Sequence, residues 1–279
     1  FSLVYNLFVK IREINARTIL HRTKIPGLDY SINPYIGCHH GCIYCYASYI
    51  AERFGHNEKW GDFVDVKINA PELIRKKLKS LRERTGTIGI GVTTDPYQPA
   101  EKRYRITRGI LEALKETDFR ISLLTRSPLV LDDFQLISSF GERFSLGVSV
   151  SILSTELKEF LEPMAPAPIS RLKALSKFTS ISTFVFLSPL IPGFSDSERE
   201  LELIFKYIRR YGIKNVLVDR MSLYNNVKAT FLRRVKFSYP LRYKRLLEYQ
   251  KAREWYLNHA KRRIQEISST FGISTSFTF

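Results

Sequence analysis

The three cysteines of this chain, Cys38, Cys42 and Cys45, all lie within one window of eight residues. An odd number of cysteines at this density does not suit a disulfide framework, which needs even numbers and wider spacing. Three thiolates on one tight loop suit a soft metal ion or an iron–sulfur cluster. A cubane of four irons with three protein ligands leaves one iron open for a substrate or cofactor. The window therefore predicts a loop that is shaped around a metal group.

Zinc is the main alternative to an iron–sulfur cluster. A closed structural zinc site needs four ligands, and the fourth would have to be His39, His40 or the more distant His56. Three unrelated buried thiols are a further interpretation, which the close spacing disfavours. The residues alone leave these alternatives open and favour the cluster.

The spacing C-x3-C-x2-C, with Tyr44 directly before the last cysteine, resembles the cluster loop of the radical S-adenosylmethionine (SAM) enzymes. The resemblance implies a [4Fe-4S] cluster held by Cys38, Cys42 and Cys45. It also implies S-adenosyl-L-methionine as the second cofactor, bound to the open iron through its amino and carboxylate groups.

Strand-like and helix-like stretches alternate along most of the chain and predict an α/β fold with a parallel sheet. The predicted strands are 31–35, 64–68, 87–92, 120–124, 145–151, 182–188 and 214–219. The seven strand–helix alternations are one fewer than a closed eight-stranded barrel requires. With the resemblance, they imply the partial (β/α)6 TIM-like barrel of the radical SAM type, with the strand–helix pair at 64–83 inserted after the cluster loop.

Three segments are expected: an N-terminal cap at 1–29, the barrel at 30–219, and a basic helical C-terminal extension at 220–279. Within the extension, 220–238 reads as irregular or short-helical, and 239–268 as one long basic helix. We expect this extension to close over the open side of the barrel.

Positive charge is concentrated in the extension. The formal net charge is +17, and Arg220–Arg263 holds 13 Lys and Arg against Glu248 and Glu254. Aromatic residues are interleaved: Tyr224, Phe231, Phe237, Tyr239, Tyr243, Tyr249, Trp255 and Tyr256. This pattern suits a phosphate backbone with bases to stack on. The alternative is a solvated amphipathic helix whose aromatic residues pack on the domain.

Further stretches within about 30–220 resemble the group of radical SAM proteins related to spore photoproduct lyase, often described as DNA repair photolyase-like. They are 29–35, 93–101, 124–127, 147–151, 162–163 with 171–172, and 188–193. The group is functionally heterogeneous, so membership implies the radical chemistry more firmly than the substrate.

The resemblance also implies residue roles at the cofactor site. Tyr44 would lie beside the adenine of SAM, Arg126 would reach its carboxylate, and Ser188 would meet the adenine edge. Thr93, Thr94 and Asp95 replace the glycine-rich amino-binding stretch of the superfamily. Ser149 and Ser151 would meet the ribose or carboxylate, and Arg171 is either a further cofactor contact or a helix-face charge.

One departure from the lyase concerns hydrogen return. In the lyase, a cysteine just before the stretch that matches Thr93–Asp95 supplies a hydrogen atom to the product radical, but Gly91-Val92 precede it here and the chain has no fourth cysteine. Tyr46 matches a lyase tyrosine of the radical pathway and Tyr97 is expected near the same barrel mouth. These two tyrosines are the predicted catalytic residues.

The predicted function is a radical SAM enzyme that abstracts hydrogen from a substrate, with a nucleic-acid base favoured. The alternatives are a small-molecule or protein substrate, or a nucleic-acid-binding iron–sulfur protein without turnover. The resemblance implies an electron donor such as flavodoxin or ferredoxin. The sequence shows no apolar run of about 18 residues and no secretion signal, so we expect a cytoplasmic protein without a membrane span.

Overall fold

The computed structural model describes residues 9–81, 85–223 and 225–279, in which strands and helices alternate along the chain. The strands are β1 Lys10–Ile14, β2 His21–Arg22, β3 Tyr30–Ile32, β4 Tyr35–Ile36, β5 Phe63–Lys67, β6 Thr87–Ile90, β7 Arg120–Thr125, β8 Phe144–Ser149, β9 Ser182–Leu190, β10 Asn215–Arg220 and β11 Ser274–Phe277. The helices are α1 Ile50–Arg53, α2 Ala70–Ser80, α3 Glu101–Tyr104, α4 Ile106–Lys115, α5 Phe134–Ser138, α6 Thr155–Leu161, α7 Pro168–Leu175, α8 Glu198–Arg210, α9 Asn225–Ser238, α10 Pro240–Lys251 and α11 Arg253–Thr270.

The partial (β/α)6 barrel is confirmed. Its strands run in the order β3, β6, β7, β8, β9 and β10, and each neighbouring pair is parallel. Side chains alternate across a strand, so Leu146 and Val148 of β8 enter the core beneath the helices. Ser145, Gly147 and Ser149 alternate with them on β8 and therefore face the lumen. The carboxyl ends of the parallel strands meet at one mouth, where barrel active sites lie.

Two strands extend this sheet at its edges. β2 pairs antiparallel with β3, and β11 pairs parallel with β10, with Asn215 opposite Ser274 and Val218 opposite Phe277. No pattern in the sequence predicts β11. Its Ser-Thr-Ser-Phe sequence is too polar to indicate a strand, and its order comes from pairing with β10 and from α11 packing beside it.

The strand–helix pair inserted after the cluster loop is confirmed as β5 and α2. Residues 82–83, the end of the predicted helix, lie outside the described residues. β5 does not enter the barrel: it lies between β1, which is parallel to it, and β4, which is antiparallel, in a separate three-stranded sheet. Phe63, Val64 and Val66 are buried because this small sheet packs between the cluster loop and the barrel core.

The predictions for the extension need two corrections. The stretch at 220–238, expected to be irregular or short-helical, contains α9, a helix of 14 residues. The single long helix expected at 239–268 is two helices, α10 and α11, which break at Ala252. The break has a packing reason: Leu246 of α10 packs beside the cluster loop, whereas Ile264 and Ile267 of α11 enter the barrel core. A straight helix could not bury both apolar faces.

Within the described ranges, none of the helices is both long enough and apolar enough to cross a membrane.

Candidate active site at the mouth of the barrel

The three cysteines lie on a tightly folded loop that follows β4. Cys38 and Cys42 are buried and Cys45 is half-buried. Turns within the loop join Gly41 N to Cys38 O at 3.3 Å and Cys45 N to Cys42 O at 3.1 Å. The loop is anchored from outside by Ile43 N, which donates to Leu161 O at 3.0 Å. The backbone therefore fixes the positions of all three thiols.

Burial raises the pKa of the Cys42 thiol to about 12, and it also raises the pKa of Cys38 and of Cys45. The mutual proximity of the three sulfurs contributes to the shift at Cys38. Three thiolates held this close need a compensating positive charge, which a metal group supplies. The set of donors therefore fits a thiolate-bound metal group.

The arrangement suits a cluster in a further respect. Among the described residues, no three His, Cys, Asp or Glu side chains form a group that could hold a single metal ion. A cubane makes a different demand, because each thiolate binds a different iron and the sulfurs stay apart. Cys38, Cys42 and Cys45 could supply one thiolate to each of three irons from a single loop.

Thr94 and Asp95 support the cluster loop and its surroundings. The Thr94 hydroxyl donates to Gly37 O at 2.5 Å. Asp95 Oδ1 accepts from Thr125 Oγ at 2.6 Å, and its Oδ2 accepts from Arg126 N at 2.6 Å. The Thr94 hydroxyl and the Asp95 carboxylate are thus hydrogen bonded to other groups of the protein, whereas the resemblance implied that they bind SAM.

His40 and Asp95 form a buried pair. His40 Nδ1 lies 3.4 Å from Asp95 Oδ2, close enough for an ion pair but poorly aligned for a hydrogen bond. Burial alone would raise the pKa of Asp95, but His40 and the bonds from Thr125 and Arg126 lower it to about 2. This carboxylate therefore stays charged and ties the cluster loop to the end of β7.

Four of the predicted cofactor residues meet at the mouth. Arg126 Nη2 lies 3.3 Å from Tyr44 Oη and 3.2 Å from Ser188 O. Ser151 Oγ donates to Ser188 O at 2.5 Å and lies 3.3 Å from Tyr44 Oη. The cluster loop and the ends of β7, β8 and β9 each supply one member, which agrees with the rule that barrel sites form at strand ends.

Beneath this group lies an ion pair between Glu162 and Arg171, and neither side chain is exposed to solvent. Glu162 also accepts from the Tyr44 hydroxyl, and its Oε1 lies 3.7 Å from Arg126 Nε. Burial alone would raise the pKa of Glu162, but the guanidinium groups of Arg171 and Arg126 lower it to about 2. The pair thus fixes two members of the mouth group from below.

Arg171, predicted to be either a cofactor contact or a helix-face charge, makes its hydrogen bonds within the protein. Besides Glu162, its guanidinium donates to Ser149 O at 2.8 Å and, through Nε, to Pro166 O at 2.9 Å. These bonds commit the side chain to the protein interior. Arg171 therefore positions Glu162 and β8 and does not reach the lumen.

Two buried atoms at the mouth remain available to a ligand. Arg126 Nε and Ser149 Oγ have no hydrogen-bond partner among the described residues. Such atoms are costly unless something satisfies them. A polar ligand with a carboxylate, such as SAM, fits these donors. Thr93 stands nearby, half-buried, with its amide donating to Asn33 Oδ1 at 2.8 Å.

The two predicted catalytic tyrosines have different surroundings. Tyr46 is 41% exposed, and its hydroxyl donates to Val92 O, next to the position where the lyase resemblance places a thiol. Tyr97 is 1% exposed and donates to Asp133 Oδ2 at 2.8 Å. The structure brings Tyr46 to the mouth and leaves Tyr97 in the wall.

Sequence reasoning missed several residues of this region. Gln98 accepts from His39 N at 2.9 Å and donates to Thr94 Oγ at 3.0 Å, so it supports the cluster loop. Asp219 lies at the end of β10 and contributes to the raised pKa of Tyr46, after burial and nearer groups. The position of Asp219 at the end of a predicted strand could have identified it as a site residue. No feature of the sequence around Gln98 indicates its role.

A family model described as the Radical SAM superfamily matches residues 32–205. The chain is 36% identical to an uncharacterised protein of Methanocaldococcus jannaschii over 69% of this chain and 72% of that protein. It is 30% identical to an uncharacterised protein of Mycobacterium tuberculosis over 80% of this chain and 68% of that protein.

Two solved structures share the fold. Spore photoproduct lyase complexed with dinucleoside spore photoproduct matches with a TM-score of 0.70 and 16% identity, over 96% of this chain and 82% of that chain. A double mutant of the lyase with bound AdoMet and dinucleoside spore photoproduct matches with a TM-score of 0.68, 16% identity and the same coverage.

Proposed function

Because the chain belongs to the radical SAM superfamily and is a radical SAM enzyme, we propose that its substrate is a base within a nucleic acid. The superfamily uses a [4Fe-4S] cluster and SAM. When bound, these cofactors supply reductive cleavage of SAM to methionine and a 5′-deoxyadenosyl radical, which abstracts a hydrogen atom from the substrate.

In this proposal the residues of the mouth have different roles in binding the cluster, SAM and the substrate. Cys38, Cys42 and Cys45 hold three irons. Arg126 binds the SAM carboxylate, because a guanidinium offers paired donors for a carboxylate. Ser149, Ser151, Ser188, Thr93 and Tyr44 line the rest of the SAM site, while Thr94, Asp95 and Arg171 position these groups. Tyr46, at the exposed rim, faces the substrate.

The observation that carries the substrate proposal is that the basic helices pack on the cluster loop. Phe231 and Val235 of α9 and Leu246 of α10 share one buried cluster with Cys42 and Tyr44. The opposite faces of these helices and of α11 carry exposed positive charge: Lys228, Arg233, Arg234, Lys236, Lys244, Arg245, Lys251, Arg253, Arg262 and Arg263. A backbone bound there would lie beside the mouth.

Exposed apolar side chains accompany these charges. Phe237 is 91% exposed, Leu241 77% and Trp255 63%. The centroids of the Trp255 and His259 rings lie 3.9 Å apart with the rings tilted by 34°, which gives an exposed aromatic pair on α11. The other aromatic residues that the structure describes in this segment, such as Phe231 and Tyr249, pack inward, so stacking on bases would involve Phe237 and Trp255.

The enzyme assignment is tested by anaerobic reconstitution with iron and sulfide. We expect about three to four irons per chain, an absorbance band near ~400 nm, and 5′-deoxyadenosine on addition of SAM and a reductant. Cys42→Ala should abolish 5′-deoxyadenosine formation while the far-ultraviolet circular dichroism stays that of the folded chain.

The substrate proposal is tested by neutralising charge on matched helices. Arg233, Arg234 and Lys236 on α9 are changed to Gln in one variant, and Arg75, Lys76 and Lys77 on α2 in a second. We expect the first to weaken nucleic-acid binding and to lower the slope of log affinity against log salt by roughly 2–3. The second should change neither.

Binding that is absent at ~50 mM salt, or that barely falls by ~200 mM, would contradict the substrate proposal. If 5′-deoxyadenosine still formed, the enzyme assignment would stand and the substrate would be a small molecule or a protein. Nucleic-acid binding without formation of 5′-deoxyadenosine would instead indicate a nucleic-acid-binding iron–sulfur protein that does not turn over SAM.

The reaction consumes an electron, so a small reducing protein such as flavodoxin or ferredoxin is the partner we expect to deliver it. A reducing compartment, such as the cytoplasm, would keep the cluster intact.

A further inference from the structure

The loop between β9 and α8 spans residues 191–197 and lies at the mouth of the barrel, where β9 ends. Ile191 N donates to Ser195 Oγ at 2.7 Å, and Gly193 N donates to Asp196 Oδ1 at 2.7 Å. These bonds within the loop give it a compact shape.

The apolar side of this loop packs on the cluster loop. Ile191 and Phe194 are almost fully buried, and they belong to the same apolar cluster as Cys42 and Tyr44. Ser188, three residues before Ile191, carries the carbonyl that accepts from two members of the mouth group. The position of the loop therefore bears on two sides of the SAM site proposed above.

Three side chains of the basic C-terminal helices bind the same loop. The Arg242 guanidinium, on α10, donates to Gly193 O. On α11, Tyr256 Oη donates to Asp196 Oδ2 at 2.8 Å, and Arg263 Nη1 donates to Asp196 O at 3.1 Å. Asp196 is buried, so its carboxylate needs such partners. The attachment of the loop thus depends on α10 and α11.

Arg242 also contacts two aromatic rings. Its guanidinium carbon lies 5.0 Å from the ring centroid of Phe194 and 5.8 Å from that of Tyr239. The two rings meet edge to face, with centroids 5.7 Å apart. A planar guanidinium can stack on a ring and donate hydrogen bonds from its edge at the same time. Arg242 therefore holds the Phe194 side chain and the Gly193 backbone together.

We propose that Arg242 is a positioning residue for SAM, which holds the loop after β9 against the cluster loop and so keeps Ser188 and Tyr44 in the arrangement that binds the cofactor. The physical reason is that these two groups lie on separate segments of the chain. A small displacement of either lowers the affinity for a ligand that must contact both. This role rests on the SAM site proposed above and is independent of the substrate.

The primary test is Arg242→Met, which keeps an unbranched apolar side chain and removes the guanidinium. SAM binding is measured by isothermal titration calorimetry on the reconstituted, unreduced protein, in which SAM is not cleaved. We expect a dissociation constant about tenfold higher, at unchanged iron content. With reductant and without nucleic acid, the KM for SAM should rise by a similar factor, while kcat for 5′-deoxyadenosine changes by less than about twofold.

Arg143→Met is the matched control. Arg143 donates to Thr117 O and, at 3.2 Å, to Phe119 O. Its guanidinium carbon lies 5.3 Å from the Phe140 ring centroid. It thus makes the same two kinds of contact as Arg242, but directly before β8, at the end of the barrel opposite the mouth. We expect both variants to lose stability in urea, and Arg143→Met to bind SAM as the unmodified chain does.

Unchanged SAM affinity in Arg242→Met, or an equal loss in Arg143→Met, would overturn the proposal, because Arg242 would then act on stability alone. Tyr256→Phe keeps the test decisive where Arg242→Met loses the cluster or does not fold. It removes one hydroxyl and its bond to Asp196 while keeping the ring. We expect a dissociation constant for SAM about threefold higher, and in that case an unchanged value would overturn the proposal.

A measurement on the protein without cofactors reports on the loop directly. Amide hydrogen exchange of a peptide that covers 188–197 should be faster in Arg242→Met and unchanged in Arg143→Met. Equal exchange in Arg242→Met and in the unmodified chain would show that the loop does not depend on Arg242, and would contradict the proposal.

Arg126→Gln separates the role of Arg242 from the SAM site on which it rests. If Arg126→Gln weakens SAM binding and Arg242→Met does not, the SAM site stands and the role of Arg242 is overturned. If neither variant weakens SAM binding, both are overturned. Weaker binding in both variants, with Arg143→Met unchanged, is the result we expect.

Discussion

Glu162 and Arg171 form a fully buried ion pair that supports the mouth of the barrel from below. Removing one member of such a pair leaves a buried charge without a partner, which typically costs about 3–5 kcal/mol. We therefore expect Glu162→Gln to lower the free energy of unfolding by about that amount, measured by urea denaturation. Glu159→Gln on the exposed side of α6 is the matched control, and its effect should stay within about 0.5 kcal/mol.

The same carboxylate gives the chain a defined acid sensitivity. Its pKa is lowered to about 2 from the ordinary 4.5 because Arg171 and Arg126 outweigh the effect of burial. A lowered pKa contributes stability that is fully present above about pH 4.5 and is lost as the pH falls towards about 2. The stability difference between the unmodified chain and Glu162→Gln should therefore shrink across that window. A difference that stays constant would show that Glu162 has the same pKa in the folded and the unfolded chain, so that Arg171 and Arg126 do not lower it.

Residue roles could be predicted in part. The cysteine spacing identified a metal loop, and polar residues at strand ends, such as Arg126 and Ser188, meet at the mouth as expected. Side-chain direction could not be read in the same way. Thr94 and Arg171 lie at the expected places in the chain, but their polar groups are taken up by Gly37 and Glu162. Those partners come from other segments, so local sequence gave no sign of them.

At the scale of elements, the approach of β5 to the cluster loop depends on Gly37. This residue has a φ of +84°, and a Cβ atom there would lie 2.5 Å from Phe63 O and 2.7 Å from the Phe63 ring. Phe63 O cannot move away easily, because β5 is paired on both sides. We expect Gly37→Ala to lower the unfolding free energy by at least about 2–3 kcal/mol and to reduce the iron bound on reconstitution.

Gly27→Ala is the control for that experiment. Gly27 has nearly the same φ, +80°, but no atom lies within 4 Å of the Cβ position. Gly27→Ala therefore costs only the conformational free energy of placing alanine in the left-handed region, about 1 kcal/mol, without a steric clash. Equal effects of the two substitutions on stability and iron content would mean that Phe63 does not constrain the loop.

The elements themselves could be predicted where their own sequence specified them. Six of the seven predicted strands are present as single strands, because apolar residues alternate along segments such as β7 and β8. The strand predicted at 31–35 is instead two short strands, β3 and β4, which pair in different sheets. β11 and the break at Ala252 were missed, since each is set by tertiary packing. β11 gains its order from β10, and α10 and α11 bury their apolar faces against different parts of the barrel.

At the scale of the whole molecule, the basic helices pack on the barrel beside the cluster loop. α9 and α10 carry positive charge on one face and pack on the cluster loop with the other, and α11 covers the open edge of the barrel next to β11. Composition predicted the charge but not this geometry, because the packing of α9 depends on residues such as Met221 and Ile191 from other elements.

The cysteine count limits the reaction that the chain can complete. All three cysteines lie on the cluster loop, so none is free to return a hydrogen atom to a substrate radical. Gly91 and Val92 stand in the stretch where the lyase resemblance places a thiol, and the Val92 carbonyl accepts from the Tyr46 hydroxyl. With DNA that contains spore photoproduct, we therefore expect 5′-deoxyadenosine in large excess over repaired thymine, measured by chromatography of both products.

Val92→Cys provides the gain-of-function form of this prediction. A thiol at this position adjoins Tyr46, and its S–H bond can supply the hydrogen atom that the thymine radical needs, leaving a sulfur radical to be reduced through Tyr46 or by reductant. We expect the ratio of repaired thymine to 5′-deoxyadenosine to rise several-fold, and Val92→Ser, which offers no thiol, to leave it low. If the unmodified chain already repaired the photoproduct over many turnovers, a thiol would be unnecessary and Tyr46 or 5′-deoxyadenosine would be the source of the hydrogen atom.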